Sequence, residues 1–157
     1  MMLQQSPPAS RAVRPATREA LLRAASAGAP PCTWFYITLL LGRRLRDGAA
    51  IPKCVAETAV ARILLWYVGG NGRGGMVSLK ASAVRRAVLS YGREHRCRFA
   101  DHEYAAATLS RHMRILMAYV RDWVRAAPRA VTRHLAVDRQ WLVEFLTAHR
   151  PCASEAP

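Results

Sequence analysis

The chain has 157 residues, 52% of them hydrophobic, with 24 Lys and Arg against 10 Asp and Glu and a formal charge of +14. That length supports one domain with a genuine core, and the apolar fraction excludes a chain disordered throughout. The charge imbalance selects a class of partner: a polyanion such as DNA, RNA or a ribosome, or an anionic membrane surface.

Residues 1–31 are rich in Arg, Ala and Pro and hold one acid, Glu19. They read as a loose basic tail with a short helix over Thr17–Ala27; a mitochondrial transit peptide has the same composition. Pro30-Pro31 closes the tail, and residues 32–150 read as the folded domain. Thr33 is placed to cap a helix from Trp34 to Arg46, ended by Asp47-Gly48. The segment "CTWFYITLLLG" within it is too short for a membrane span, which needs roughly 20 apolar residues, and "RRLR" follows at once. Pro52 suits a first helical position, and "KCVAETAVARILLWYV", Lys53 to Val68, reads as a central helix buried on most sides.

The run "GGNGRGG" stops that helix. Gly70, Gly72 and Gly75 spell G-x-G-x-x-G, the pattern of a phosphate-cradling turn. The pattern needs a strand before it and a helix opening on its last glycine; here the preceding run is helical and Met76–Leu79 reads as a short strand. The glycines are therefore taken as a turn, with Arg73 at its tip within reach of a phosphate backbone. No nucleotide or other cofactor is expected.

Ser82 is placed to cap a helix over Ala83–His95, where Val84, Ala87, Val88 and Tyr91 share one face. Arg86 and Arg93 fall opposite. Asp101 is placed to cap the next helix, His102 to about Arg125, with Glu103 in its first turn favouring the helix dipole. Pro128 bars further extension. "RAVTRHLAVD", Arg129 to Asp138, alternates as a strand or hairpin arm does, and Asp138 caps a last helix, "RQWLVEFLTAH". That helix and the apolar stretch 34–41 are candidate seams for a homodimer; the 34–46 segment is also a candidate contact for a membrane surface.

At about 100° per residue, Leu109, Met113, Leu116 and Val120 fall within one narrow sector of the long helix. Arg111, Arg114, Arg121 and Arg125 fall opposite, with Thr108 and Ser110 on the flanks. One face packs and the other presents guanidinium groups, which bind phosphates and base edges. The stretch "ATLSRHMRIL", Ala107 to Leu116, resembles the recognition helix of winged helix-turn-helix proteins, whose pattern reads T-[VL]-S-x-[HY]-[LM]-x-x-L. The order of helix, short strand, helix, helix and strand-forming arm over Lys53–Asp138 resembles the same family. The resemblance implies a mainly α fold, a winged helix-turn-helix with a short β element and flanking helices. It further implies DNA binding, with the third helix in the major groove and the wing on the backbone or minor groove. Carried over by position, Thr108, Ser110, Arg111 and Arg114 become groove contacts, and Arg129 and Arg133 become wing contacts. His112 matches the motif but lies beside the apolar sector, where packing or capping serves as well.

Other chemistry finds little support. His95, Cys97 and His102 match no strong zinc spacing, so no metal is expected. Glu57, Glu103, Asp122 and Glu144 lie on different helices, which leaves no carboxylate pair for acid–base work, and no enzymatic reaction is expected. Cys32, Cys54, Cys97 and Cys152 form no C-x-x-C pair and read as free thiols of an intracellular protein. The expectation is a cytoplasmic, nucleoid- or ribosome-associated protein that binds nucleic acid. Double-stranded DNA is favoured, with a transcriptional regulator or chromatin-type role; an RNA- or ribosome-associated role is the alternative.

Overall fold

The computed structural model describes residues 17–70, 75–126 and 135–148. Within them six helices and two strands follow in order: α1 (Arg18–Ala27), α2 (Pro31–Leu40), α3 (Lys53–Gly70), β1 (Met76–Ser78), α4 (Ala81–Glu94), α5 (Glu103–Arg125), β2 (Ala136–Asp138) and α6 (Arg139–Ala148). The protein is mainly helical with one small antiparallel sheet.

α3 is the centre. Val55, Ala56, Ala59, Val60, Ile63, Leu64 and Val68 are all buried. Helices α1, α2, α4, α5 and α6 each pack on it. Its alanines keep the helix slim, so neighbours approach closely from several directions at once. α2 crosses between α3 and α5 with Trp34, Phe35, Ile37 and Leu39 buried. Those apolar side chains fill the protein's own core, so they are not an outer seam for a dimer or a membrane surface; of the 34–46 segment, Arg43, Arg44 and Arg46 are exposed. Among the described residues no helix is long and apolar enough to cross a membrane.

The short helix expected over Thr17–Ala27 is present as α1, capped by Thr17, whose hydroxyl accepts from Ala20 N at 3.1 Å; Leu21 is buried in the common core, so this part of 1–31 packs and is not a loose tail. Other helix starts differ from the sequence expectation. α2 begins at Pro31 rather than after Thr33, because proline needs no amide partner at a first helical position. Thr33 is buried inside the helix. α2 ends at Leu40, six residues short of the expected Arg46. Lys80 and His102 occupy the N-cap positions of α4 and α5 without a side-chain cap, not Ser82 and Asp101. Asp138 does cap α6, its carboxylate accepting from Trp141 N at 2.9 Å.

The two strands form an antiparallel pair, with β2 packed on α6. Val77 pairs with Val137, and both are buried; Met76 faces Asp138 and Ser78 faces Ala136 in register. Leu79 N donates to Leu135 O at 2.8 Å and Arg139 N to Gly75 O at 2.9 Å, extending the ladder at both ends.

The free-thiol expectation is corrected by the fold. Cys32 and Cys97 form a disulfide across a sequence separation of 65, with Cα atoms 5.3 Å apart. Cys32 sits in the first turn of α2 and Cys97 in the α4–α5 connection. Only the packing of α2 against α4 brings them together, so no local spacing could announce the pair. Cys54 is buried in α3 and takes no part in the bond.

Candidate nucleic-acid interface

The candidate interface is built on α5. Its sequence keeps apolar side chains on one side for 23 residues, and the structure buries that side: Ala105, Leu109, Met113, Leu116, Met117, Val120 and Trp123. The other side is solvent-facing, with Ala107, Ser110, Arg111, Arg114, Ala118, Arg121 and Arg125 exposed. Amphipathic burial thus fixes the rotation of the helix and presents the arginines as one ridge.

Local bonds in this ridge are light. Arg111 Nη2 donates to Thr108 Oγ1 at 3.3 Å, and Arg125 pairs with Asp122 at 3.1 Å. That pair is exposed on both sides, so it holds Arg125 weakly. The ion pairs of the described residues include Arg125–Asp122 and Arg23–Glu19. Among the described residues no carboxylate forms an ion pair with Arg111, Arg114 or Arg121.

One expected contact is corrected, and another stands apart from the ridge. Thr108 is 1% exposed; its hydroxyl turns back along the helix to Arg111, and it cannot reach a groove. Helical angle put it on a flank, but the packing of α4 and α5 covers that flank. Arg86 is exposed but lies in the cleft lined by Trp66, Tyr67 and Glu94 between α3 and α4, away from α5. Its neighbour Arg85 is the α4 arginine at the ridge, its Nε donating to Ser110 Oγ at 3.0 Å. Ser110 is exposed as expected and held by that bond. Arg73, Arg129 and Arg133 lie outside the described residues.

His112 packs on the flank of α5 rather than on the ridge. It is half-buried against the backbone of Gly42, where an added Cβ would stand 3.5 Å from its Nδ1. Its Nε2 is buried with no hydrogen-bond partner among the described residues. Burial, with Arg43 and Arg111 close by, holds the imidazole below its ordinary pKa.

The α4–α5 connection is fixed at several points. Cys97 is tied to α2 by the disulfide, and the Tyr36 hydroxyl donates to Arg98 O. Phe99 sits at φ 74° with its ring edge-on to Tyr36 at 6.1 Å. The disulfide also removes Cys97 from any metal set with His95 and His102. At the glycine run, Gly70 is the last residue of α3 and Gly75 leads into β1. The element before the glycines is a helix, which is not the setting of a phosphate-binding strand–turn–helix.

The sequence places 41–46, with "RRLR", in the expected helix Trp34–Arg46, whereas the helix ends at Leu40 and 41–50 is a loop. In the structure Leu41 and Leu45 point inward and are buried, while Arg43, Arg44 and Arg46 are exposed. Gly42, followed five residues later by Asp47-Gly48, was the available signal for a tight turn.

Comparison with family models, with curated proteins and with solved structures gave no match.

Proposed function

We propose that this protein binds nucleic acid through the exposed ridge of α5, as a DNA-binding regulator or chromatin-type protein of the winged-helix kind. The observation that carries the reading is the set of exposed guanidinium groups of Arg111, Arg114 and Arg121, without an ion pair among the described residues, on a helix whose opposite side is buried, in a chain of charge +14. Guanidinium forks bind phosphate and guanine edges in two-point fashion. The order helix, strand, helix, helix, strand, with the two strands antiparallel, supports the winged-helix element of the reading. The reading assigns no reaction and no cofactor.

The setting belongs to the proposal too. Disulfides mark oxidising compartments in most organisms, yet also persist inside hyperthermophile cells. A cytoplasmic, nucleoid-associated setting therefore rests on the chemistry of the partner and not on the thiols. A homodimer seam, in this reading, falls to α6, where Trp141 and Phe145 stack at 5.2 Å and stay half-buried.

The test is a titration of labelled duplex DNA and of a structured RNA at moderate salt. Arg111→Ala combined with Arg114→Ala is expected to weaken duplex binding by about 2 kcal/mol, roughly 30-fold, at unchanged melting temperature. A variant that titrates like the wild type overturns the reading. Tighter binding of the RNA by the wild type, lost in the same variant, moves it to an RNA- or ribosome-associated role.

A further inference from the structure

The loop 41–50 is short, cationic and unusually well fixed for a surface turn. Leu45 N donates to Ala49 O at 2.8 Å, Gly48 N to Leu45 O at 2.9 Å and Arg43 N to Leu40 O at 2.9 Å. Arg44 and Ala50 form an antiparallel bridge. The Asp47 carboxylate accepts from Ala49 N and from Arg18 N, both at 3.1 Å, which also ties the turn to the start of α1. Those amides hold the acid below its ordinary pKa, so it stays a fixed anion inside the turn.

The loop lies against α5. Gly42 adopts φ +84°, and a Cβ there would stand 2.9 Å from Ile115 Cδ1 and 3.5 Å from His112 Nδ1. On α5 the flank formed by His112 and Ile115 borders Arg111 directly, at 100° and about 40° around the helix from it. Arg43 is close enough to His112 to act on its charge, as Arg111 is from the other side. Arg43 thus adjoins the α5 ridge at its Arg111 edge, Arg44 shares a hollow with Tyr119 of α5, and Arg46 is exposed on the same turn. No acid forms an ion pair with them among the described residues. Arg44 makes one weak contact, to Gly48 O at 3.4 Å.

We infer that the turn 41–50 is a second backbone contact, its Arg43, Arg44 and Arg46 binding sugar-phosphate beside the groove occupied by α5. This inference rests on the nucleic-acid reading and deepens it. Contacts of this kind set position and affinity without reading sequence. The pinned backbone lowers the ordering cost of binding, which distinguishes this turn from a solvated basic loop.

The test compares two charge-matched variants. Arg43→Gln with Arg46→Gln removes two loop charges and leaves the Arg44–Gly48 bond in place. Arg62→Gln with Arg93→Gln removes two exposed charges from α3 and α4, on neither the loop nor α5; Arg62 stacks over Trp34. Binding of duplex DNA and of RNA is measured over a salt series. The loop variant is expected to flatten the plot of log affinity against log salt by about 2, with the same proportional loss on unrelated sequences. The control variant is expected to keep the wild-type slope. Equal slopes for the two variants, with binding still lost in the Arg111/Arg114 variant, overturn the loop assignment and leave the α5 reading standing. A wild-type protein that binds neither polymer overturns both. Which polymer shows the larger loss decides whether DNA or RNA supplies the phosphates.

Discussion

Gly92 and Phe35 occupy each other's space: a Cβ built on Gly92 would stand 2.5 Å from Phe35 Cε1. Phe35 is fully buried in α2, so its ring cannot swing away into solvent. Gly92 sits inside α4, where an alanine would ordinarily stabilise a helix by about 1 kcal/mol. Here the crowding exceeds that gain. Gly92→Ala is expected to destabilise the protein by about 2 kcal/mol net, lowering the melting temperature by roughly 4–8 °C. A melting temperature that rises would show that α2 and α4 are further apart than described.

The disulfide should be worth a comparable or larger amount. Closing a loop of 65-residue separation restricts the unfolded chain by about 4 kcal/mol in the chain-entropy account. Urea unfolding of the oxidised protein should therefore move to lower urea on adding reductant. Cys32→Ala with Cys97→Ala should match the reduced protein and ignore reductant. A wild-type transition that stays put would show that the bond contributes nothing.

Thr108 separates packing from contact. It resembles a groove-contacting residue of the winged-helix pattern but is buried. Thr108→Val keeps its shape and removes only the hydroxyl that accepts from Arg111. Duplex affinity is expected to change less than about threefold, since only one exposed-donor hydrogen bond of order 0.5 kcal/mol is lost. A loss as large as that of the Arg111/Arg114 variant would put the Thr108 side chain at the bound polymer.

His112 gives stability a direction in pH. Its pKa is lowered in the folded state, by burial first and by Arg43 and Arg111 next. Below the ordinary histidine range the unfolded chain therefore binds a proton that the folded chain resists. Stability is complete above about pH 6.5, the unperturbed value, and declines as pH falls. His112→Gln should flatten the difference in melting temperature between pH 7.5 and pH 5.5. Identical profiles for wild type and variant would show that the imidazole titrates freely.

The periodic parts of this chain were readable, and the contingent parts were not. The rotation of α5 follows from Leu109, Met113, Leu116 and Val120 at helical spacing, because apolar side chains leave water whatever they pack against. Asp138 as a helix cap is likewise a local matter, settled by one carboxylate and one nearby amide. Thr33, Ser82 and Asp101 failed as caps because proline, lysine and histidine took those positions with extended backbone and left their caps without side-chain bonds. The Cys32–Cys97 pair, the crowding of Gly92 and the burial of Thr108 depend on which helix crosses which. One sequence at one position cannot state that. Arg85 and Arg86 make the point most closely: adjacent in the chain, one bonds Ser110 on α5 while the other lines a cleft on α3.

The Cys32–Cys97 bond makes a closed covalent ring of everything from the start of α2 to the α4–α5 connection. α3, β1 and α4 lie on the ring, whereas α5, β2 and α6 hang from it as a single open strand of chain. A protease cut anywhere inside the ring leaves both pieces joined until a reductant is added. A cut beyond α5 leaves β2 and α6 with no covalent link to the rest, held only by the Val77–Val137 pairing and the packing of α6 on α3, while the arginine ridge stays tethered.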